Sequence, residues 1–296
     1  MSRIVVVHGV GHQLGTAETL LAEAGPALRG GAALARRRDP ALPEVAEGDI
    51  VCAGYGDLYR QSGTRGEPHY AAEDVEPGFE TELLLEWWRE AARLDPTVTG
   101  PDAPTGRGAV GHALSRPLRT ALVRRALDAL TRSRFFGAVS DRLLISDLKQ
   151  VRRYFAEPEL RQAARDRVAE RITPDTRVVV AHSLGSVVAY ETLCAHPQGQ
   201  PLTLVTLGSP LGLGNLVFDR LTPAPEGGRG AWPGPVKTWH NLADTGDVVA
   251  LVRELAPRFG PGVQDGTVDN GAQMHDMTAY LTAVETGTAI AAGLTA

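Results

Sequence analysis

Short runs of β-branched and other apolar residues recur along this chain, and segments with apolar residues at helical spacing separate them. Such runs predict strands that are buried on both faces of a parallel sheet. The predicted strands are residues 4–7, 49–53, 178–180, 202–207, 236–242 and 263–268. The predicted helices are residues 17–38, 80–94, 114–131, 135–155, 158–171, 187–193, 248–255 and 277–292, the first with a point at Pro26 where it can kink or split. This alternation predicts an α/β fold, with a mostly parallel central sheet of about six strands and helices on both faces.

Composition and charge narrow the class of protein. The chain has 296 residues and is 43% hydrophobic, which is enough for one large α/β domain. Its net charge of −5 argues against a nucleic-acid partner. Cys52 and Cys194 lie in apolar settings and are predicted to be buried thiols, and no Cys/His spacing indicates zinc. The apolar run after Met1 is too short for a signal peptide or a membrane span, so we expect a cytoplasmic protein.

A serine lies at a sharp corner between the third strand and the next helix, in the sequence Ala181-His182-Ser183-Leu184-Gly185. A G-x-S-x-G nucleophile elbow has this strand–turn–helix context, and small residues flank its serine because the backbone there is strained. Here alanine replaces the first glycine. The chain resembles the α/β-hydrolase family at this point, in the Ala-His-Ser-x-Gly variant of some lipases and esterases. The resemblance implies that Ser183 is a nucleophile.

A serine nucleophile needs a base to take its proton and an acid to orient that base. In the family these partners follow the serine in the order Asp or Glu, then His. His275 is the only histidine downstream of His240, so its position predicts the base. Asp244 and Asp247 compete for the acid. We favour Asp247, because its sequence resembles the family's Asp-x-Val motif and because it is predicted to open the helix over residues 248–255, where an anion is favourable.

The turn after the first strand allows two interpretations. Its glycines, Gly9, Gly11 and Gly15, imitate a dinucleotide fingerprint, although the third falls one position late. In the hydrolase interpretation the same turn supplies an oxyanion-hole amide, for which Val10 is our choice. We favour the second interpretation because Ser183 accounts for it.

The remaining site predictions follow from this choice. The second oxyanion donor is the backbone N–H of Leu184, which comes directly after the nucleophile. His8, Gly9 and His182 are expected near the site, since they lie in the two turns. The chemistry needs no metal and no organic cofactor.

The predicted function is a serine hydrolase that cleaves a small or lipid-like carboxylic ester through an acyl-enzyme. A thioesterase, an amidase or an acyltransferase would use the same residues, and a non-catalytic partner-binding module on the same fold is an alternative of another class.

Residues 55–172 are predicted to be a helical insertion within one domain of residues 1–296. The resemblance implies that part of it, residues 106–155, forms a cap over the site, and the alternative is that these helices only cover the sheet. The basic stretch Arg116–Arg134 has apolar residues at helical spacing, including Leu118, Leu122 and Leu130. A peripheral membrane contact would suit it, but a solvated helix face that pairs with the chain's own carboxylates is the favoured interpretation.

Overall fold

The computed structural model describes residues 2–60, 69–101, 115–136 and 139–295. Two compact units are present: a sheet unit of Met1–Arg60 and Pro158–Ala296, and a helical unit of Gln61–Glu157. The strands are β1 (Ile4–Val7), β2 (Ile50–Ala53), β3 (Val178–His182), β4 (Leu202–Leu207), β5 (Val236–Asp244) and β6 (Val263–Val268). The helices described are α1 (Ala17–Arg38), α2 (Phe79–Leu94), α3 (Arg116–Thr131), α4 (Asp141–Ala156), α5 (Pro158–Ala169), α6 (Leu184–Ala195), α7 (Ala256–Phe259), α8 (Met277–Thr282) and α9 (Val284–Gly293).

The six strands form one sheet in the order β2-β1-β3-β4-β5-β6, and every neighbouring pair is parallel. The predicted α/β class and parallel sheet are therefore confirmed. All residues of β1, β3 and β4 are buried, as their continuous apolar sequences predict for strands covered on both faces.

Helices cover the sheet because alternate side chains of each strand point to opposite faces. Ile4, Val6 and Val178 belong to a core cluster that also contains buried residues of α1, α8 and α9, among them Leu28 and Ile290. The intervening residues, such as Val5 and Val179, are also fully buried, and α6 packs against β1 and β3 with α5 beside it. Pro26 lies inside α1, which is continuous from end to end.

The C-terminal helical segment differs from the prediction of one helix over residues 277–292. It is divided at Ala283, whose extended backbone separates α8 from α9. The cause is close packing against α1: a Cβ on Gly31 would lie 2.3 Å from the carbonyl oxygen of Leu281, and one on Gly287 would lie 2.1 Å from that of Gly31. The break is therefore imposed by a tertiary contact that local sequence does not encode.

The strand order places a topological switch point between β1 and β3. From β1 the chain passes to β2 on one side, and it later returns as β3 on the other side. In open parallel sheets the crevice at the carboxyl ends of such strands is where ligands bind. The residues that leave these two ends are His8-Gly9-Val10 and Ser183.

The helical unit contains α2, α3 and α4. The buried carboxylate of Glu80 accepts from Lys149 Nζ at 3.1 Å and from Arg152 Nε at 2.7 Å, which ties α2 to α4. The predicted helix over residues 135–155 is wrong at its start, because Ser140 caps the helix that begins one residue later and accepts from Leu143 N.

The predicted apolar stripe of α3 also needs correction. Leu130 is buried as the stripe predicted, but Leu118 is 61% exposed, and Val123 and Leu127 are buried although the stripe did not include them. On the same helix Arg124 pairs with Glu73. Residues 106–114 and 137–138 of the predicted cap lie outside the described residues. Within the part of the chain that the structure describes, no helix has the length and apolar character to cross a membrane.

Candidate active site

Ser183 is the single residue between β3 and α6, and its backbone has a positive φ. Its φ is 51° and its ψ is −130°, and among the described residues other than glycine it alone has a positive φ. Such a conformation is costly for an L-residue and marks a site where the surroundings hold it in place. A Cβ on Gly185 would lie 2.3 Å from the carbonyl oxygen of His8, so the second small position must be glycine. Ala181, at the first position, is fully buried within β3.

The hydroxyl groups of Ser186 and Ser209 form a hydrogen-bonded chain that supports the turn at Ser183. Ser186 Oγ donates to the carbonyl oxygen of Ser183 at 2.6 Å, and it lies 2.7 Å from Ser209 Oγ. Because the hydrogen of Ser186 is used on Ser183, Ser209 is the donor of the second bond. Ser209 thus supports the Ser183 backbone through Ser186.

His275 bridges Ser183 and Asp247. Its Nε2 lies 3.0 Å from Ser183 Oγ, and its Nδ1 lies 2.7 Å from Asp247 Oδ2. An ionised carboxylate only accepts, which assigns the ring proton to Nδ1 and leaves Nε2 free to accept from the serine hydroxyl. The Asp247 side chain is fully buried, whereas that of His275 is 24% exposed. The structure thus brings together the three residues predicted as base, acid and nucleophile.

The carboxylate of Asp247 accepts four hydrogen bonds. Val249 N and Ala250 N donate to Oδ1 at 2.8 and 3.2 Å, while His275 Nδ1 and the hydroxyl of Tyr280 donate to Oδ2 at 2.7 and 2.8 Å. Each oxygen therefore has two donors, and the buried charge is fully solvated by the protein. Tyr280 was not among the residues selected from the sequence, where it appears as one more apolar position of the last helix.

The prediction that Asp247 opens a helix over residues 248–255 is wrong. That segment is irregular, and the only short helix there, α7, begins at Ala256. Asp247 accepts hydrogen bonds from the N–H groups that follow it, as the N-cap of a helix would. The sequence around it therefore looks like the start of a helix, although the next residues are irregular. The N–H groups at the start of α7 are capped instead by Asp265.

Asp244 has a different role from Asp247. Its Oδ1 accepts from Gly246 N at 2.6 Å, and its Oδ2 accepts from Asn270 N at 2.6 Å. These bonds close the turn after β5 and tie it to the loop after β6. The geometry therefore places Asp247 at the imidazole and Asp244 in the supporting turn.

Gly208, the first residue after β4, lies against the same three groups. Its φ is +53°, and a Cβ there would lie 2.8 Å from Asp247 Oδ2, 3.0 Å from Tyr280 Cε2 and 3.2 Å from His275 Nδ1. Only glycine combines this backbone conformation with this lack of space.

The turn after β1 is held beside Ser183 by His8 and Tyr55. Tyr55 N donates to His8 Nε2 at 3.2 Å, so Nδ1 carries the proton and donates to the carbonyl oxygen of Gly9 at 2.7 Å. The Tyr55 hydroxyl donates to the carbonyl oxygen of His8 at 2.6 Å. A Cβ on Gly9 would lie 2.7 Å from Ser183 Cβ. Because the peptide is planar, fixing the Gly9 carbonyl also fixes the N–H of Val10, which points the opposite way.

The second predicted oxyanion donor, Leu184 N–H, belongs to the first residue of α6. The first N–H groups of a helix have no intrahelical partner and carry the positive end of its dipole. This amide therefore lies beside the serine and is suited to an anion.

Two other histidines near Ser183, His8 and His182, are buried and neutral. Burial lowers the pKa of His8 to about 3, helped by the nearby His12. Burial also holds the pKa of His182 well below its usual value, and the adjacent His275 lowers it further, at a ring distance of 4.7 Å. Both were predicted to lie near the site, where neither can serve as a base at neutral pH.

The dinucleotide interpretation of the first turn has no structural support. The space left by Gly9 is used by Ser183, and a Cβ on Gly56 would lie 2.2 Å from the carbonyl oxygen of His12, so the protein's own backbone fills the bend. Thr16 and Thr19 form a capping box at the start of α1. No group of three or more His, Cys, Asp or Glu side chains among the residues described here is arranged to hold a metal ion.

Comparisons of this chain with protein-family models, with curated proteins and with solved structures give no match.

Proposed function

We propose that this chain is a serine hydrolase of the α/β-hydrolase family that cleaves carboxylic esters through an acyl-enzyme. The observation that carries the proposal is the hydrogen-bonded series Ser183–His275–Asp247, with contacts of 3.0 and 2.7 Å, on a serine held in a left-handed backbone. The nucleophile Ser183, the acid Asp247 and the base His275 follow one another along the chain in the order that the family uses.

The first half of the reaction forms the acyl-enzyme. His275 Nε2 takes the hydroxyl proton while Ser183 Oγ attacks the acyl carbonyl, and Asp247 stabilises the imidazolium. The backbone N–H groups of Leu184 and Val10 receive the negative charge on the carbonyl oxygen. Losing one such donor typically costs about 10²–10³ in rate. His275 then gives its proton to the leaving alcohol as the bond between acyl carbon and alcohol oxygen breaks.

The second half returns the enzyme to its starting state. Water attacks the acyl-enzyme, His275 accepts its proton, and the Ser183 oxygen leaves with that proton to release the carboxylic acid. A thioester or an amide would follow the same steps with a different leaving group, and a second alcohol in place of water would make the reaction an acyl transfer.

A fluorophosphonate probe tests the proposal. The Ser183 oxygen is expected to displace fluoride from phosphorus, which adds the phosphonyl group to the intact protein and is read by mass spectrometry. Ser183→Ala should not be labelled. Ser133→Ala is the matched control, because Ser133 is a buried serine of the helical unit whose hydroxyl donates to Leu130, and it should be labelled like the wild type.

Two results would overturn the proposal. One is a folded wild-type protein that stays unlabelled and hydrolyses none of a series of nitrophenyl esters of increasing acyl length, which would favour the partner-binding module. The other is equal labelling of Ser183→Ala.

A further inference from the structure

The hydroxyl of Tyr280 joins the two aspartates of the β5 turn. It accepts from Asp244 N at 2.8 Å and lies 2.8 Å from Asp247 Oδ2. A backbone N–H only donates and an ionised carboxylate only accepts, so the phenol proton is directed to Asp247. The orientation of this hydroxyl is therefore fixed by its partners.

The phenol cannot easily leave this position or lose its proton. Tyr280 is fully buried, and its ring lies against Gly208 and 5.7 Å from the ring of His182. Burial, followed by the charge of Asp247, raises the pKa of the phenol. Tyr280 is accordingly a permanent hydrogen-bond donor over the working range of the site.

Both donors of Asp247 Oδ2 come from the segment at the start of α8. Asp276 caps α8, accepting from Ala279 N at 2.9 Å, and His275 immediately precedes this cap. Tyr280 lies one turn further along. The imidazole and the phenol therefore both come from the short segment around the capped start of α8.

We propose that Tyr280 is a positioning residue of the triad, which holds Asp247 in place and lowers the proton affinity of His275 by sharing Asp247 Oδ2 with it. A carboxylate oxygen that accepts a second hydrogen bond offers less negative charge to an imidazolium. With the phenol present, His275 is neutral down to a lower pH and the carboxylate keeps one geometry. This inference rests on the proposed function, because it concerns the basicity of the proposed general base.

The test is the pH profile of kcat/KM for a nitrophenyl ester with Tyr280→Phe. The lower limb, on which the base must be neutral, is expected to move to higher pH by roughly 0.5 to 1 unit, the scale of the net contribution of one ordinary hydrogen bond, because the phenol acts on His275 only through the shared carboxylate oxygen. At the plateau kcat should fall roughly tenfold with KM unchanged, because Tyr280 orients the triad without touching the substrate. Tyr190→Phe is the matched control: Tyr190 is also fully buried, and its hydroxyl donates to the carbonyl oxygen of Ala231 at 2.9 Å. Its pH profile should be that of the wild type.

Two further variants separate this role from structural support. In an Asp247→Asn background, Tyr280→Phe should leave the lower limb in place, because the charge through which it acts is gone. Incorporation of 3-fluorotyrosine at position 280 keeps the ring and strengthens the donor, so the lower limb should move to lower pH, and this variant carries the test if Tyr280→Phe does not fold.

The outcomes distinguish the two proposals. If the wild type neither labels nor hydrolyses esters, the proposed function fails. If the wild type is active and the lower limb of Tyr280→Phe superimposes on it, or moves equally in the Asp247→Asn background, the role of Tyr280 alone is refuted. In the protein with 3-fluorotyrosine at position 280, a lower limb that is unchanged or that moves to higher pH would also refute the role of Tyr280.

Discussion

Replacing Gly208 with alanine would test whether the triad depends on the space at this residue. The new Cβ would meet Asp247 Oδ2 at 2.8 Å and His275 Nδ1 at 3.2 Å. Since carbon atoms in good contact lie about 3.5–4.0 Å apart, the carboxylate or the end of β4 must move by roughly half an ångström or more. Displacements of this size at a reacting centre typically cost one to two powers of ten in rate, so we expect kcat to fall by about 10- to 100-fold.

The backbone contributes a separate cost in stability. Gly208 has φ +53°, and an alanine held there costs about 1–2 kcal/mol. Gly227→Ala is the matched control, because Gly227 has φ +57° and nothing lies within 4 Å of the position that its Cβ would take. It should show a similar backbone cost, measured by urea unfolding, while its ester hydrolysis stays that of the wild type.

The comparison of the two alanine variants decides the matter. Full activity in Gly208→Ala would show that the site tolerates a methyl group against the carboxylate, which would refute the geometry described. An equal loss of activity in Gly227→Ala would assign the effect to backbone strain instead.

The remaining predictions concern the two aspartates and the buried histidine. Asp247→Asn should lower kcat by about 10³–10⁴ because the imidazole loses its correct tautomer, whereas Asp244→Asn should mainly destabilise the fold, by about 1–3 kcal/mol for the hydrogen bonds it disturbs. Ester kinetics and urea unfolding measured on both variants check this, and a catalytic collapse in Asp244→Asn alone would reverse the assignment. His8, whose pKa in the folded state is about 3, stays neutral there while the unfolded chain takes up a proton. Its stabilising contribution is therefore complete above about pH 6.5 and is lost as the pH falls towards 3, by up to about 1.4 kcal/mol per unit. Urea unfolding between about pH 7 and pH 5 should show this slope, and it should be shallower in His8→Gln; equal slopes would contradict the account.

The strands were the part of the fold most readily predicted from sequence. Runs such as Ile4–Val7 and Leu202–Leu207 are apolar at every position, and only a strand covered on both faces needs that pattern. Helix ends were predicted less well, because some depend on contacts distant in sequence and others on a local side-chain hydrogen bond that does or does not start a helix. The break at Ala283 comes from α1, and the irregular segment after Asp247 comes from a side chain that satisfies nearby N–H groups without starting a helix.

Some residues of the candidate site were also predictable from the sequence, and others were not. Ser183 carries a local signature, and the partners were chosen by their order along the chain, which follows from the order of strand ends. Tyr280 and Tyr55 could not be predicted as site residues from the sequence. Their roles depend on the position of each hydroxyl group in the folded chain. A tyrosine five residues after the proposed base carries no signal that separates it from a core residue.

The strand order has a consequence for when the proposed chemistry begins. The pieces of the site leave the carboxyl ends of separate strands, and His275 comes 92 residues after Ser183. During synthesis the serine is therefore made long before its base. Until β5 and β6 have added to the sheet, it is an ordinary alcohol. The proposed nucleophile would therefore have its base within reach only in a chain whose parallel strand pairing is complete.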